Sequence, residues 1–278
     1  MGICMQDLML AEGGNLQFFL FFLCLIIFAL AERCWPRRTT PGYSKRITTN
    51  ALLTLSNVVL IPLVPISIVT AGFWAESQGY GLINNVAHQI PVVVVIITTL
   101  LLRGFISFFT HLLNHKVPMF WRLHRVHHMD SALDVSSTVR FHPLEMFITT
   151  LVSVPLVVVL GLPPWVLLFY ELFDVCVTLF SHSNLRLPKR IEKWLRYIIV
   201  TPGLHTVHHS NNPMETDKNF SAVFPIWDVI FGTFNSGDTP PVGLGLKEFQ
   251  GDQVNHFAWL LISPFTRTQR LPTAESNH

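Results

Sequence analysis

Long apolar runs constrain the fold of this 278-residue chain more than any other feature of its sequence. Half of the residues are hydrophobic, only 13% are charged, and the mean hydropathy is +0.44. About 20 apolar residues can cross a bilayer as a helix, in which every backbone group is paired internally. We therefore predict an all-α integral membrane bundle with four to five membrane-embedded helices. The candidate runs are residues 16–31, 51–75, 90–113, 144–161 and 165–181.

The loops between these runs predict the orientation. Five basic residues follow the first run, whereas residues 76–89 contain no Lys or Arg. The positive-inside rule then places the first loop in the cytoplasm and the N-terminus outside. The turn signal at residues 161–164 returns the chain to the cytoplasmic side. The lack of an endoplasmic reticulum retrieval signal favours a bacterial inner membrane over the endoplasmic reticulum. The five basic residues are Arg33, Arg37, Arg38, Lys45 and Arg46.

Histidines gather at the predicted cytoplasmic ends of the runs. The pattern His-x-x-His-His occurs twice, at residues 124–128 and 205–209, and HLLNH places His111 and His115 one helical turn apart. Residues three and four apart share a helix face, so each triplet predicts three imidazoles on one face, half of a metal site. Hydrogen bonding at a membrane surface would explain a single histidine but not the repeated spacing. The ten clustered histidines are His111, His115, His124, His127, His128, His142, His182, His205, His208 and His209.

The number of histidines narrows the choice of metal. Imidazole suits iron, copper, zinc and nickel, so the ligand type alone does not select among them. Eight to ten nitrogens exceed the needs of one tetrahedral zinc and suit two ions of higher coordination number. Two redox metals at a membrane surface indicate activation of O₂ and attack on a lipid C–H bond.

Other functional classes fit less well. The net charge of +2 and the absence of basic runs argue against nucleic acid as a partner. The motif H-E-x-x-H of zinc proteases is absent. A membrane metal transporter, or a metal-binding protein without oxygenase activity, remains the alternative. Transport histidines are expected near the middle of spanning helices rather than at their ends.

Six segments between His111 and Phe234 resemble the fatty acid hydroxylase superfamily, which includes sterol desaturases. They are HLLNH, WRLHRVHH, RFHPLE, SHSNLRLP, TPGLHTVHH and WDVIFGT, in the family's order. The resemblance implies a non-haem di-iron oxidoreductase that hydroxylates or desaturates a sterol, a fatty acyl group or a related lipid chain. It implies two Fe²⁺ ions as cofactors, O₂ as co-substrate, a lipid substrate from the bilayer, and a separate electron donor such as a ferredoxin, a cytochrome b type protein or a reductase.

The same resemblance implies the metal ligands, and no catalytic residue is expected apart from them. His182 is implied as a ninth ligand and His142 as a tenth. The eight core ligands are His111, His115, His124, His127, His128, His205, His208 and His209.

Carboxylates near these motifs are candidates for orienting the ligand imidazoles, which usually donate their second N–H to an acceptor. Glu171 and Asp174 share a face of the fifth run, and they either serve the imidazoles or pair with Arg103 of the third run. We expect the lipid to enter between the third, fourth and fifth runs. The candidate orienting carboxylates are Asp130, Asp134, Glu145, Asp174 and Asp228.

The predicted organisation has three parts. Residues 1–110 form the N-terminal membrane anchor, residues 111–234 the catalytic region and residues 235–278 a soluble C-terminal tail. Residues 187–200 mix cations with Trp, Leu and Ile at helical spacing, so we expect them to lie along the membrane interface.

Overall fold

The computed structural model describes residues 5–40, 43–64, 66–238, 241–249 and 251–266. Within these ranges the chain is helical, with no strand beyond two isolated β-bridges. Residues 267–278 of the predicted tail lie outside the described residues. The helices are α1 (Met5–Cys34), α2 (Tyr43–Leu60), α3 (Ile68–Ser77), α4 (Leu82–Val86), α5 (Val92–Lys116), α6 (Pro118–His128), α7 (Glu145–Leu160), α8 (Pro164–His182), α9 (Lys189–Leu195), α10 (Pro202–His208), α11 (Pro213–Thr216), α12 (Ile226–Ile230) and α13 (Phe257–Ile262).

Among the described residues, four helical segments are long and apolar enough to cross a membrane. They are Glu12–Cys34, Ser44–Ser77, Val92–Lys116 and Pro164–His182. The fifth apolar helix, α7, has 16 residues and is shorter than a usual span. The prediction of an all-α membrane bundle is therefore confirmed.

The α7–α8 hairpin turns at Gly161, where the sequence predicts a turn. Gly161 has φ +63°, a left-handed conformation that glycine adopts without strain, and Pro164 begins α8. Gly81 packs directly against this turn: a Cβ atom at Gly81 would lie 2.2 Å from the Gly161 Cα atom. Both positions therefore require glycine, and the contact fixes the outer end of the hairpin.

A membrane-embedded core joins α3, α5, α7 and α8 through apolar side chains such as Val69, Ile106, Val157 and Leu167. Helix α1 packs parallel to α8. Cys24 contacts Cys176, and four residues later on both helices Phe28 contacts Phe180. These helices hold the ends of α5 and α8 close together, where the predicted site histidines begin.

A second core lies under α6. Leu53 of α2 packs with Val126 and Met129 and with the later segment that contains Phe249 and Leu260. Arg140 is fully buried there and donates to the carbonyls of Val126 and Val254, as well as to Asn50. Residues 241–249 and 251–266 thus cover the back of the histidine-bearing helix α6.

The charge inside the third run is paired. The Arg103 Nε–H donates to Glu171 Oε1 at 2.7 Å, and both side chains are largely buried. This pairing offsets the cost of a cation between apolar helices. Of the two roles open to Glu171, the structure therefore shows the structural pair with Arg103. Asp174 accepts a hydrogen bond from Thr178 at 3.5 Å and touches no histidine among the described residues.

Candidate metal centre

Four helices bring nine histidines to one place. Helix α5 carries His111 and His115 one turn apart near its end, and α8 ends at His182. The two triplets lie on α6 and at the end of α10. As whole residues the two members on α5 are half-buried, although the His115 side chain is only 1% exposed, and the other seven are at most 5% exposed.

The nine side chains form two adjacent groups. In each group the ligand atoms lie within 4.8 Å of one another. The five-histidine group contains His111, His115, His124, His128 and His208. The four-histidine group contains His127, His182, His205 and His209.

Each His-x-x-His-His triplet is divided between the two groups, whereas the sequence predicts that it supplies one face. His124 and His128 stay together, and His127 faces the other group. Helical geometry explains this, since the first and fifth residues are about 40° apart around the axis while the fourth and fifth are about 100° apart. In the second triplet His205 and His209 stay together, and His208 joins the other group. Each triplet therefore bridges two sites.

Several imidazoles donate their Nδ1–H to a fixed acceptor. The acceptors for His111, His182 and His208 are the carbonyl oxygens of Phe220, Thr178 and Lys218, at 2.7, 2.8 and 2.8 Å. His124 donates to Glu145 Oε1 at 2.6 Å. These bonds set the tautomer, so that Nε2 of each of these rings carries a lone pair.

The arrangement of the Nε2 atoms fits a bound metal ion. His111 Nε2 and His124 Nε2 face each other at 3.1 Å, although both must present lone pairs. No hydrogen bond can join two acceptors, so two neutral rings in this contact suit a cation bound between them. Nitrogens about 2.1 Å from one ion lie about 3 Å apart when they are adjacent in an octahedron. The spacing recurs in the four-histidine group, where His182 Nε2 lies 2.9 Å from His205 Nε2 and 3.2 Å from His127 Nε2.

The electrostatic environment favours the neutral form of five of the imidazoles. Burial, followed by the neighbouring rings, lowers the pKa of His127, His128, His205 and His209 well below the usual value of 6.5. Burial lowers the pKa of His208 to about 3. Neutral imidazole is the form that binds metal, so these five rings can bind metal ions at neutral pH without first losing protons.

His142 lies outside both groups. Its Nδ1 accepts from the backbone N–H of Leu144 at 3.2 Å, and its Nε2 lies 3.1 Å from the carbonyl oxygen of Leu261. Both ring nitrogens therefore have backbone partners. Its assignment as a metal ligand stays a prediction that this geometry does not support.

The candidate orienting carboxylates occupy different positions. Glu145 contacts a histidine directly and also accepts from Asn114 at 3.4 Å. Asp228 supports a histidine indirectly. It accepts hydrogen bonds from the backbone N–H groups of Phe220 and Ser221 at 2.7 and 2.9 Å, and the Phe220 carbonyl is the acceptor of His111.

Asp130 and Asp134 serve a different purpose. Both pair with the buried Arg46, and Asp130 also accepts from Ser137 at 2.6 Å. Burial acts to raise the pKa of Asp130, but Arg46 and Arg140 outweigh it and bring this pKa to about 2. These carboxylates anchor the segment after α6 to α2.

Sequence reasoning missed the backbone acceptors. Two of the three carbonyls that accept an imidazole Nδ1–H belong to the loop at residues 217–221. Asn219 of this loop has φ +56°, and its side-chain amide donates to the carbonyls of Leu204 and Asn235. Asn often adopts this left-handed conformation, so the sequence Asp217–Ser221 carried a weak turn signal. The carbonyls themselves leave no signal, because every residue has one.

Two clefts approach the histidines. One of about 200 Å³ reaches His115 from the surface and is lined also by Trp121 and Asp217. The Trp121 ring lies 5.0 Å from His115 and 5.4 Å from His128, between centroids. The second, of about 700 Å³, lies among α1, α7, α8 and the segment around Ile61–Leu63, and it is lined at one end by Phe141 and Glu145.

The fold and site define a polytopic membrane protein with a buried polyhistidine cluster that can bind metal. Residues 96–233, about half of the chain, match the family model described as fatty acid hydroxylase. The chain thus belongs to the fatty acid hydroxylase superfamily through this domain, which confirms the resemblance seen in its motifs.

Individual relatives are lipid oxygenases. The chain is 29% identical over 178 residues to alkylglycerol monooxygenase of Caenorhabditis elegans, covering 60% of this chain and 34% of that protein. It is 31% identical over 128 residues to human alkylglycerol monooxygenase, covering 45% and 27%. It is 28% identical over 179 residues to human cholesterol 25-hydroxylase, covering 62% of each. The chain therefore spans about a third or less of these alkylglycerol monooxygenases. No solved structure matches it significantly.

Proposed function

We propose that this protein is an integral-membrane non-haem di-iron oxidoreductase that hydroxylates or desaturates a lipid, using O₂ and electrons from a separate donor protein. The observation that carries the proposal is the pair of histidine groups whose Nε2 atoms face each other about 3 Å apart, with fixed Nδ1–H acceptors leaving lone pairs on both His111 and His124. The relatives named above support it, because both of their names describe oxidation of a lipid.

In this proposal each histidine group holds one iron ion. The bound irons would supply the activation of O₂ needed to attack a lipid C–H bond. A site of nitrogen donors alone suits a redox metal better than calcium or magnesium, which prefer oxygen ligands.

The protein's own residues position the site and keep water out. Glu145 holds the proton on Nδ1 of His124, and the Phe220 carbonyl does the same for His111. The fully buried Phe220 packs its ring 5.8 Å from His111 and 5.7 Å from His208, between centroids. Preorganised rings lose less freedom on binding metal, and exclusion of water protects reactive species from side reactions.

The substrate would reach this site from the bilayer through the cleft of about 700 Å³. Its walls include α7 and α8, the fourth and fifth runs, as the sequence predicts. The third run, α5, was also expected to line it, but α1 and the segment around Ile61–Leu63 do so instead. A cleft of this size can hold a drug-sized or single-chain lipid ligand.

The proposed orientation places the histidines at the cytoplasmic face. The basic residues after α1, including Arg37 and Arg38, lie at the same end of the bundle as His182, since Arg37 and Arg38 contact the backbone and side chain of Asn184. A soluble or membrane-bound electron donor in the cytoplasm could then approach the cleft beside Trp121.

Metal stoichiometry tests the proposal. Protein purified in detergent should contain about two irons per chain by elemental analysis. The substitutions His127→Ala in the four-histidine group and His208→Ala in the five-histidine group should each lower the iron content. His88→Ala is the matched control, because His88 lies on the surface outside both groups and should leave iron content unchanged.

The second arm of the test is product analysis. Loaded protein with O₂ and a chemical or enzymatic reductant should oxidise membrane lipid extract, as detected by mass spectrometry, and the two site variants should not. One zinc per chain, or metal content that neither variant changes, would contradict the di-iron proposal and favour a metal-binding protein without oxygenase activity.

A further inference from the structure

The cleft of about 700 Å³ meets the metal centre through two residues, one for each histidine group. The Phe141 ring stacks on His127 of the four-histidine group, with centroids 4.7 Å apart and planes 16° apart. Glu145 accepts from His124 of the five-histidine group. Both Phe141 and Glu145 line the cleft. A molecule at this inner end therefore lies against the residues that position both groups.

Two residues that line the cleft each carry a buried acceptor atom without a partner in the described part of the chain. Glu145 uses Oε1 for His124 and Asn114, and its Oε2 is buried without a hydrogen bond. Asn57 lines the cleft as well, and its Nδ2 donates to the Phe141 carbonyl at 3.1 Å. That bond sets the orientation of the amide, so the buried, unpartnered atom is the acceptor Oδ1.

Such atoms are costly unless a ligand pairs with them. A buried acceptor without a donor loses about 1–3 kcal/mol of solvation. Unpaired buried polar atoms in native proteins are few and often mark a functional site. Here both atoms accept and neither donates, so the ligand that satisfies them must supply hydrogen-bond donors.

Elsewhere the cleft is mainly apolar. Its apolar lining residues include Ile61, Ile68, Val69, Met146 and Leu168. Aliphatic walls bind an alkyl or acyl chain through burial of apolar surface. The cleft thus combines mainly apolar walls with two buried hydrogen-bond acceptors near the metal centre.

From this distribution we propose that the cleft selects lipids with a hydroxyl group, or another hydrogen-bond donor, close to the carbon that is oxidised. The lipid binds with its donor end against Asn57 and Glu145 and with its apolar chain toward the membrane. A lipid that enters with an apolar end first leaves both acceptors unpaired and binds more weakly. The inference rests on the proposed function and adds the orientation of the substrate, with Asn57 as a residue that determines specificity.

The experiment compares two probes that differ in one donor. Binding of 1-hexadecanol and of its methyl ether, which keeps the oxygen but lacks the O–H, is measured with full-length, iron-loaded protein in nanodiscs, by competition against a fluorescent fatty alcohol. We expect wild type to bind the alcohol about tenfold more tightly, as one hydrogen bond to a buried acceptor allows. In Asn57→Leu the ratio of the two affinities, alcohol to ether, should fall toward one.

Thr150→Val is the matched control. Thr150 also lines the cleft, but its hydroxyl already donates to the Met146 carbonyl at 2.8 Å. The alcohol-to-ether ratio should therefore stay near the wild-type value in this variant. The wild-type ratio needs no mutant, so the test remains decisive even if Asn57→Leu fails to fold.

The outcomes separate this inference from the proposed function. Equal binding of the two probes by wild type, or binding of neither, overturns the inference. So does an unchanged ratio in a folded Asn57→Leu variant. Iron content is measured on the same preparations: two irons with equal probe binding would leave the di-iron proposal intact, whereas absence of iron would remove the proposed function itself.

Discussion

The two histidine groups differ in how their rings are held. In the five-histidine group, His111, His124 and His208 donate Nδ1–H to fixed acceptors, and His115 Nδ1 lies 3.6 Å from Asp217. In the four-histidine group only His182 has such an acceptor among the residues that the structure describes. Within the same residues, the Nδ1 atoms of the other three members are buried without a hydrogen-bond partner.

The groups also differ in access. The surface cleft beside Trp121 reaches His115, whereas every member of the four-histidine group is buried. An imidazole whose second N–H is bonded keeps its tautomer and orientation before metal arrives. The five-histidine group is therefore the preorganised half of the centre, while ring packing, such as Phe141 on His127, orients the other half.

The largest expected effect is on the backbone support of the five-histidine group. Asp228→Ala removes the acceptor of the buried Phe220 N–H and Ser221 N–H groups and of the half-buried Thr233 hydroxyl. Leaving buried donors unpaired should lower the free energy of unfolding by about 3 kcal/mol. Denaturant titration of the metal-free protein in detergent measures this loss.

The control for this variant is Asp228→Asn, which keeps the shape and one acceptor oxygen and should lose markedly less stability. If Asp228→Ala unfolds like wild type, Asp228 does not support the loop that holds His111.

A second expected effect concerns metal affinity. Glu145→Leu removes the acceptor of His124 and should weaken metal binding at the five-histidine group by about 10- to 100-fold. Equilibrium dialysis against buffered Fe²⁺ under anaerobic conditions measures the affinity. Asp174→Asn is the control, since Asp174 bonds to Thr178 rather than to a histidine, and it should leave the affinity unchanged. Equal losses in both variants would refute the direct role of Glu145.

A third prediction separates the two groups. When metal-free protein is titrated with Fe²⁺, the first equivalent should bind about tenfold more tightly than the second, because more rings of the five-histidine group are held in advance. His111→Ala should remove the tight equivalent, and His182→Ala should remove the weak one. The opposite assignment would show that bonded Nδ1 atoms do not govern the order of filling.

The smallest expected effect is at Asp217. This half-exposed carboxylate is 3.6 Å from His115 and also pairs with Lys116 at 2.6 Å. Exposed ion pairs contribute about 0–1 kcal/mol to stability. Asp217→Asn should therefore leave the iron content unchanged and alter the free energy of unfolding by no more than a few tenths of a kcal/mol. A loss comparable with that of Glu145→Leu would mean that Asp217 orients His115 as firmly as Glu145 orients His124.

Local spacing was enough to predict much of this protein. Apolar runs predicted the membrane helices because a bilayer admits few alternatives to a helix. Glycine at 161 and the prolines after it predicted the hairpin turn, and HLLNH predicted that His111 and His115 share a face. These features depend only on residues that are neighbours along one helix or turn.

The support of the histidines could not be predicted in the same way. Asp174 and Glu145 are both carboxylates near histidine motifs, yet only Glu145 reaches an imidazole. His142 lies in a segment typical of the family, and its ring bonds to the backbone instead. Which carboxylate or carbonyl meets which ring depends on how α5, α7 and the loop at residues 217–221 pack, and no spacing records that packing.

Hydrophobicity and helical periodicity are local properties, so they were sufficient to predict membrane helices and paired histidine triplets. The packing of the helices decided that each triplet divides between two histidine groups and that one group has more fixed rings than the other. It also decided that the acceptors of Asn57 and Glu145 remain without partners at the inner end of an apolar cleft. Those features arise where residues far apart in the chain meet, since only packing brings their donors and acceptors within hydrogen-bonding distance.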